Sequence, residues 1–179
     1  MRGPSSFRCH PGGHLATSDS WCSPPAIADP LAEFFGGPVD LDPCSNDRSI
    51  IQAVVTYYTG GLILPWRGTV YQNDPYSKAT VWTDKAISEM ACGNVTELVR
   101  LSMMSTSTHW WSDMCSRPVW NPRILALQRI AFLDPFAAEP GSRRLTCRFE
   151  PALTYFGTRT DQFTAAFAHL TRWTTWGRT

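Results

Sequence analysis

Thr69-Val70-Tyr71-Gln72-Asn73-Asp74-Pro75-Tyr76-Ser77 is the stretch on which the fold turns. Residues 69–72 have strand-forming side chains, and Asn-Asp-Pro then halts them abruptly. A helix is expected next, from about 80 to 92, ended by Gly93-Asn94, with a further strand over 95–101. Upstream, Asp29-Pro30 offers an N-cap followed by Pro at the first helical position. Leu31, Phe34 and Phe35 give that short helix an apolar side, and Gly36-Gly37 stop it. Residues 39–42 then read as a strand with an acidic end, and 43–60 as irregular chain in which 50–58 fits helix or strand. Downstream, 107–115 reads as a helix bearing Trp110 and Trp111, 124–133 as extended, 134–143 as a Pro/Gly loop, and 145–156 as a strand or hairpin. From Thr160 onward, Phe163, Ala166, Phe167, Leu170 and Trp173 recur at helical steps and predict a last helix. Strands alternating with helices point to an α/β fold whose mostly parallel sheet is covered on both faces.

The 179 residues suit one domain, here 19–179, behind an N-terminal arm over 1–18 rich in Gly, Pro, Ser and His. With 43% hydrophobic and 17% charged residues the chain can build a core. The net charge of +1 hides an asymmetry. Residues 1–100 hold seven Lys/Arg against ten Asp/Glu, while 101–179 hold nine Arg against five Asp/Glu. That distribution is compatible with nucleic acid meeting the C-terminal part, and equally with ordinary surface scatter. No apolar run is long enough for a membrane helix, and the start of the chain lacks an apolar signal region. The expectation is a cytoplasmic protein with reduced thiols. The six cysteines form no CxxC pair. Cys9, His10, His14 and Cys22 match no standard zinc spacing, so no metal is expected.

Three segments can carry chemistry. An amide oxygen at Asn73 and the backbone carbonyl of Asp74 can accept both hydrogens of an exocyclic amino group, and Tyr76 can stack on its ring. Such acceptors matter because the lone pair of that nitrogen is delocalised into the base. A plain Asx turn ended by Pro75 would leave the same four letters. Asp40 and Asp42, with Pro43, Cys44 and Ser45, place carboxylates at a strand end, where ribose hydroxyls or an ammonium can bind. No Gly-rich phosphate cradle accompanies them, which fits a ligand without phosphate. Asp19-Ser20-Trp21-Cys22-Ser23-Pro24 supplies an aromatic that either packs in the core or covers a ligand.

In this order, the segments resemble the phage DNA N-6-adenine-methyltransferase family, the Dam-like proteins. The carriers are Asp19, Trp21, Ser23 and Pro24; the acidic end at 40–44; Gly61-Leu62 and Trp66; the strand into Asn73–Tyr76; the helix with Trp82 and Lys85; and Thr106 to Trp111. They span 19 to about 157. The resemblance implies a Rossmann-like methyltransferase domain, S-adenosylmethionine as donor and DNA as substrate, with adenine N6 as the methylated atom. It implies Asn73, Asp74, Pro75 and Tyr76 as the catalytic motif. It also implies Trp21, Ser23, Pro24, Asp40, Asp42, Pro43 and Cys44 as the cofactor contacts. Ser77, Lys78, Trp110, Trp111, Arg117 and Arg123 are candidates for the DNA side, with burial of both Trp in the core an equal alternative, and a second copy of the chain is a further candidate partner. If phage-encoded, the protein works in the bacterial cytoplasm. So short a chain predicts modest sequence specificity, or specificity shared with a second subunit.

Departures from the family pattern bear on the substrate. Asp74 stands where the family has Pro, which gives up a rigid φ and adds a carboxylate that can face the base. Leu98-Val99-Arg100-Leu101-Ser102 replaces a usual Leu-Pro strand end, and Ser23 a Thr. These changes leave open cytosine N4 or a modified phage base as the target, or an inactive relative that binds DNA or a partner without turnover.

Overall fold

The computed structural model describes residues 18–116 and 122–174. The chain runs α1 (Pro25–Phe35), β1 (Val39–Asp42), β2 (Ala53–Thr56), β3 (Gly68–Gln72), α2 (Ala79–Ala91), β4 (Val95–Met103) and α3 (His109–Ser116). It continues through β5 (Arg123–Leu127), β6 (Ala131–Leu133), β7 (Arg144–Thr146), β8 (Pro151–Phe156), α4 (Thr160–Ala166) and β9 (Thr171–Thr174). Seven strands form one sheet in the order β2-β1-β3-β4-β8-β5-β9, and β6 and β7 pair separately.

The sheet is mixed. The β2/β1, β1/β3 and β3/β4 pairs are parallel, whereas β8 lies antiparallel to both β4 and β5, and β9 antiparallel to β5. Side chains on a strand alternate between faces, so each strand feeds two cores. On one face Tyr71, Val99 and Tyr155 pack with Ile27, Leu31 and Phe34 of α1 and Phe163 of α4. On the other, Val70 and Leu98 pack with Trp82 of α2 and Trp110, Trp111 and Met114 of α3. The protein is therefore an α/β domain with helices on both faces of its sheet. Among the described residues, no helix is long and apolar enough to cross a membrane.

Three elements depart from the sequence reading, and one stretch it left between helix and strand is decided. The first helix starts at Pro25 rather than at Asp29, and Pro30 sits inside it. Its predicted stop holds: Gly36 is left-handed (φ 77°), and the N–H groups of Gly36 and Gly37 bond the carbonyls of Glu33 and Ala32. The 50–58 stretch resolves as the short strand β2, paired to β1. The extended 124–133 stretch is two strands in two sheets. The last helix ends at Ala166, after which the chain passes through a short 3₁₀ turn (Ala168–Leu170) into β9. The helical spacing extrapolated to Trp173 loses there to pairing with the free edge of β5, where Leu125 meets Thr174 and Leu127 meets Thr171.

Candidate active site

β1 lies between β2 on one side and β3 on the other, although both follow it in the chain. The strand order thus reverses between β1 and β3. Ligands of open α/β sheets bind beyond the carboxyl ends of strands at such a point. The two segments found there are Asp42-Pro43-Cys44 after β1 and Asn73-Asp74-Pro75-Tyr76 after β3.

The two segments meet in one cleft. Asp42, Cys44, Asn46, Tyr71 and Asn73 line it together with Trp21 and Ser23. It measures about 310 Å³ including its open mouth and about 20 Å³ where enclosed. The enclosed part has room for a water molecule or so, and the cleft is therefore closed in this conformation. The closing element is the entry segment, which runs across the end of β3 with a two-residue rhythm. The Asp19 carboxylate accepts the N–H and hydroxyl of Ser77, the Trp21 carbonyl accepts Asn73 Nδ2 (3.0 Å), and Ser23 Oγ bonds the Tyr71 hydroxyl (2.6 Å). Asn46 adds a fourth tie, donating to the Ser20 carbonyl and accepting from the Cys22 thiol. Pro24 caps α1 behind this strap.

Asp42 is 3% exposed. Its oxygens take the Cys44 N–H (3.2 Å) and a Ser45 side-chain bond, and no cation pairs with it among the described residues. Burial pushes its carboxyl up to about 6. Cys44 accepts a backbone bond from Asn73, and burial followed by the Asp42 charge drives its thiol well above the ordinary range. Pro43 is buried behind the turn, where a Cβ on Gly61 would lie 1.9 Å from the Pro43 carbonyl oxygen. That approach accounts for the Gly61-Leu62 signature, and Trp66 Nε1 bonds the Gly61 carbonyl from behind (2.7 Å). Asp40 is not part of the cleft. It is exposed and staples β1 to β3, accepting the N–H (2.7 Å) and hydroxyl (2.9 Å) of Thr69.

Asn73 has a fixed amide. Because the Trp21 carbonyl takes its Nδ2, Oδ1 is left as the acceptor, touched only at 3.3 Å by the Tyr76 hydroxyl. Tyr76 is buried, edge-on to Phe149 (4.9 Å) and Phe132. Trp21 lies almost parallel to Phe149 and tilted on Phe132, and its Nε1 is buried without a hydrogen-bond partner. Asn73 is thus bordered by a cluster of four rings.

The Asp74 carboxylate does not face this cluster. It is 2% exposed and turned under the sheet end, where Arg100 grips it with two bonds of 2.8 and 2.9 Å. Gln72 Nε2 adds a third. The other guanidinium donors go to Thr83 Oγ1, the Ala79 carbonyl and Met114 Sδ, and Trp110 stacks at 5.0 Å. All five N–H groups of Arg100 are engaged. The carboxylate anticipated beside the base is consequently spent on structure. The two departures at positions 74 and 100 are halves of one ion pair.

The DNA-side candidates fare differently. Trp110 and Trp111 are 7% and 6% exposed, in the core between α3 and the sheet, so a base cannot stack on them there. Their spacing on a helix concealed that both faces were covered. Arg123 opens β5 at its amino end and faces Asp161 of α4 (3.5 Å). Ser77 is held by Asp19, Lys78 is exposed, and Arg117 lies outside the described residues, as do Cys9, His10 and His14. Among the described residues, no cluster of His, Cys, Asp or Glu could hold a metal. Sequence reasoning missed Asn46, Tyr71, Phe132 and Phe149, which reach the site only through the fold. It also missed Arg100 as a partner, although the opposite charges of the two departures were the available signal.

Fold and site define an α/β protein with a cleft at a strand-order reversal, lined by a buried acidic turn and by the Asn of an Asn-Asp-Pro-Tyr segment. Residues 14–156 match the family model described as DNA N-6-adenine-methyltransferase (Dam), so the chain belongs to that family. No curated protein matches it.

Proposed function

We propose that the protein is an S-adenosylmethionine-dependent DNA methyltransferase with a Rossmann-like catalytic domain, acting on an exocyclic amino group, adenine N6 foremost. One observation carries the reading: the Asp42 turn and Asn73 line the same cleft at the strand-order reversal. The residues present suit the donor. A buried carboxylate without a cation calls for hydroxyl or ammonium donors, which a nucleoside bearing an amino acid supplies. Asp42, Cys44, Asn46 and Trp21 would hold it once the entry segment over the cleft moves aside, and when bound it supplies an electrophilic methyl group.

The chain's own residues do the rest. Asn73 Oδ1 and the Asp74 carbonyl accept the two N–H hydrogens, which localises the nitrogen lone pair. The Trp21 carbonyl keeps the Asn73 amide from flipping. Trp21 and Phe149, the two half-buried rings at the edge of the cluster, would flank a base that has left its stack, with Tyr76 and Phe132 packed behind them. Arg100, by holding the Asp74 side chain, stands in for the rigidity of the absent Pro. The base-selecting role open to Asp74 lacks support, because its oxygens are already bonded.

Incubation with methyl-labelled S-adenosylmethionine and DNA, followed by nucleoside analysis, is expected to show N6-methyladenine. Asn73→Ala is expected to slow transfer by roughly 10²-fold or more, the usual effect of losing one such acceptor. Label in cytosine, or an unimpaired Asn73→Ala variant, would overturn the assignment.

A further inference from the structure

Residues 128–150 form an insert between β5 and β8, carrying the β6/β7 hairpin. Its position follows from register. Leu127 ends β5 and Pro151 opens β8 opposite Met103, the last residue of β4. The insert therefore emerges at the carboxyl ends of the parallel strands, where the cleft lies. It is docked there by two backbone bonds between Leu133 and Cys22, and by Phe132 and Phe149 in the ring cluster.

Its outer surface is basic. Arg129, Arg144 and Arg148 are exposed and have no ion-pair partner among the described residues. The acids of the insert are largely accounted for: Asp134 is buried and bonded to Arg143 and the Phe136 N–H, and Glu150 faces Arg172, which leaves Glu139. Across from the hairpin, the loop after β1 presents Arg48, also exposed. Arg48 and Arg144 both line one groove of about 200 Å³, together with Ile50, Leu133 and Asp134, whose carboxylate is bonded to Arg143. Phe136, 50% exposed, stands at the hairpin tip.

Resting on the methyltransferase reading, we propose that this insert is the DNA-gripping element. Arg48 and Arg144 clamp a backbone phosphate in the groove, Arg129 and Arg148 extend the basic track, and Phe136 presses an apolar ring against the duplex. The arrangement sets the phosphate contacts beside the ring cluster that takes the base. It also replaces the buried Trp110 and Trp111 as the nucleic-acid surface.

The test is the salt dependence of binding of a fluorescein-labelled duplex of mixed sequence to the full chain. Arg48→Ala/Arg144→Ala is expected to weaken binding roughly tenfold or more and to reduce the slope of log K against log salt by about 2, near one per lost phosphate contact. Arg48→Lys/Arg144→Lys is expected to keep the slope. Phe136→Ala should lower affinity at an unchanged slope. Arg123→Ala, at the amino end of β5, should change neither. Melting curves check that each variant is folded. An unchanged slope in the folded double-Ala variant, or a loss matched by Arg123→Ala, overturns the surface, while methyl transfer by the wild type leaves the enzyme reading intact. Salt-dependent binding lost in the double variant of a protein that transfers no methyl group supports the surface and sinks the enzyme reading alone.

Discussion

Asp42 and Asp74 sit just at or beyond the ends of neighbouring parallel strands and are equally hidden, at 3% and 2% exposure, yet they have opposite fates. Asp74 meets a guanidinium held on every side and becomes a strut. Asp42 meets only a backbone N–H and a serine, and burial raises its carboxyl to about 6. A buried carboxylate with a cation is a finished interaction. One without a cation carries an uncompensated desolvation cost, which hydroxyl or ammonium donors of the proposed cofactor would relieve.

The largest effect should come from removing the cation. Arg100→Met leaves the Asp74 carboxylate buried without a cation, bonded to Gln72 Nε2, and is expected to cost about 3–5 kcal/mol in urea unfolding. Asp74→Pro/Arg100→Leu removes both charges and restores the family's Pro, so it should recover most of that loss. A single variant as stable as wild type would erase the contrast between the two acids.

Next comes Asp42→Asn. With a shift from 3.8 to about 6, the ionised carboxyl costs the fold about 3 kcal/mol at neutral pH. The variant is therefore expected to be more stable than wild type at pH 8, yet to bind S-adenosylhomocysteine at least roughly tenfold more weakly, read by calorimetry. Loss of both stability and binding would show that the carboxylate is already satisfied.

The same shift gives a pH signature. Asp42 has its pKa raised on folding, so its penalty is absent below the unfolded value near 4 and grows as pH rises towards 6. This contribution makes the ligand-free fold more stable at pH 4–5 than at pH 7. Ligand affinity should follow the opposite course and fall below about pH 6. Titrations of wild type against Asp42→Asn isolate both trends. A smaller effect is expected at the strap: Ser23→Ala, which breaks the bond to Tyr71, should cost about 1 kcal/mol and speed hydrogen exchange at residues 19–23.

How far the sequence revealed these acids depended on the range of the forces involved. The strand ends, the stop at Gly36 and the helix at 79–91 are local events, written in β-branched runs, Gly and Asn. The meeting of the Asp42 turn with Asn73 is not local, and only the family resemblance pointed to it. β9 was illegible, since a free edge on β5 overruled the helical spacing of Phe163 to Trp173. The direction of Asp74 was illegible for a similar reason. Nothing near position 74 signals a guanidinium 26 residues away, and its carboxylate reads as open chemistry until Arg100 is seen beneath it. Trp110 and Trp111 stayed open between the two roles because a ring offered to a base and a ring packed on a sheet look identical in one dimension.

The Asp74–Arg100 pair also constrains the lineage that carries it. Either residue changed alone strands a charge in the interior, so replacing the pair passes through a poorly folding intermediate unless both positions change together. The pair works as a ratchet: simple to inherit and hard to leave. In descendants of this chain, positions 74 and 100 are expected to be kept or lost as a unit.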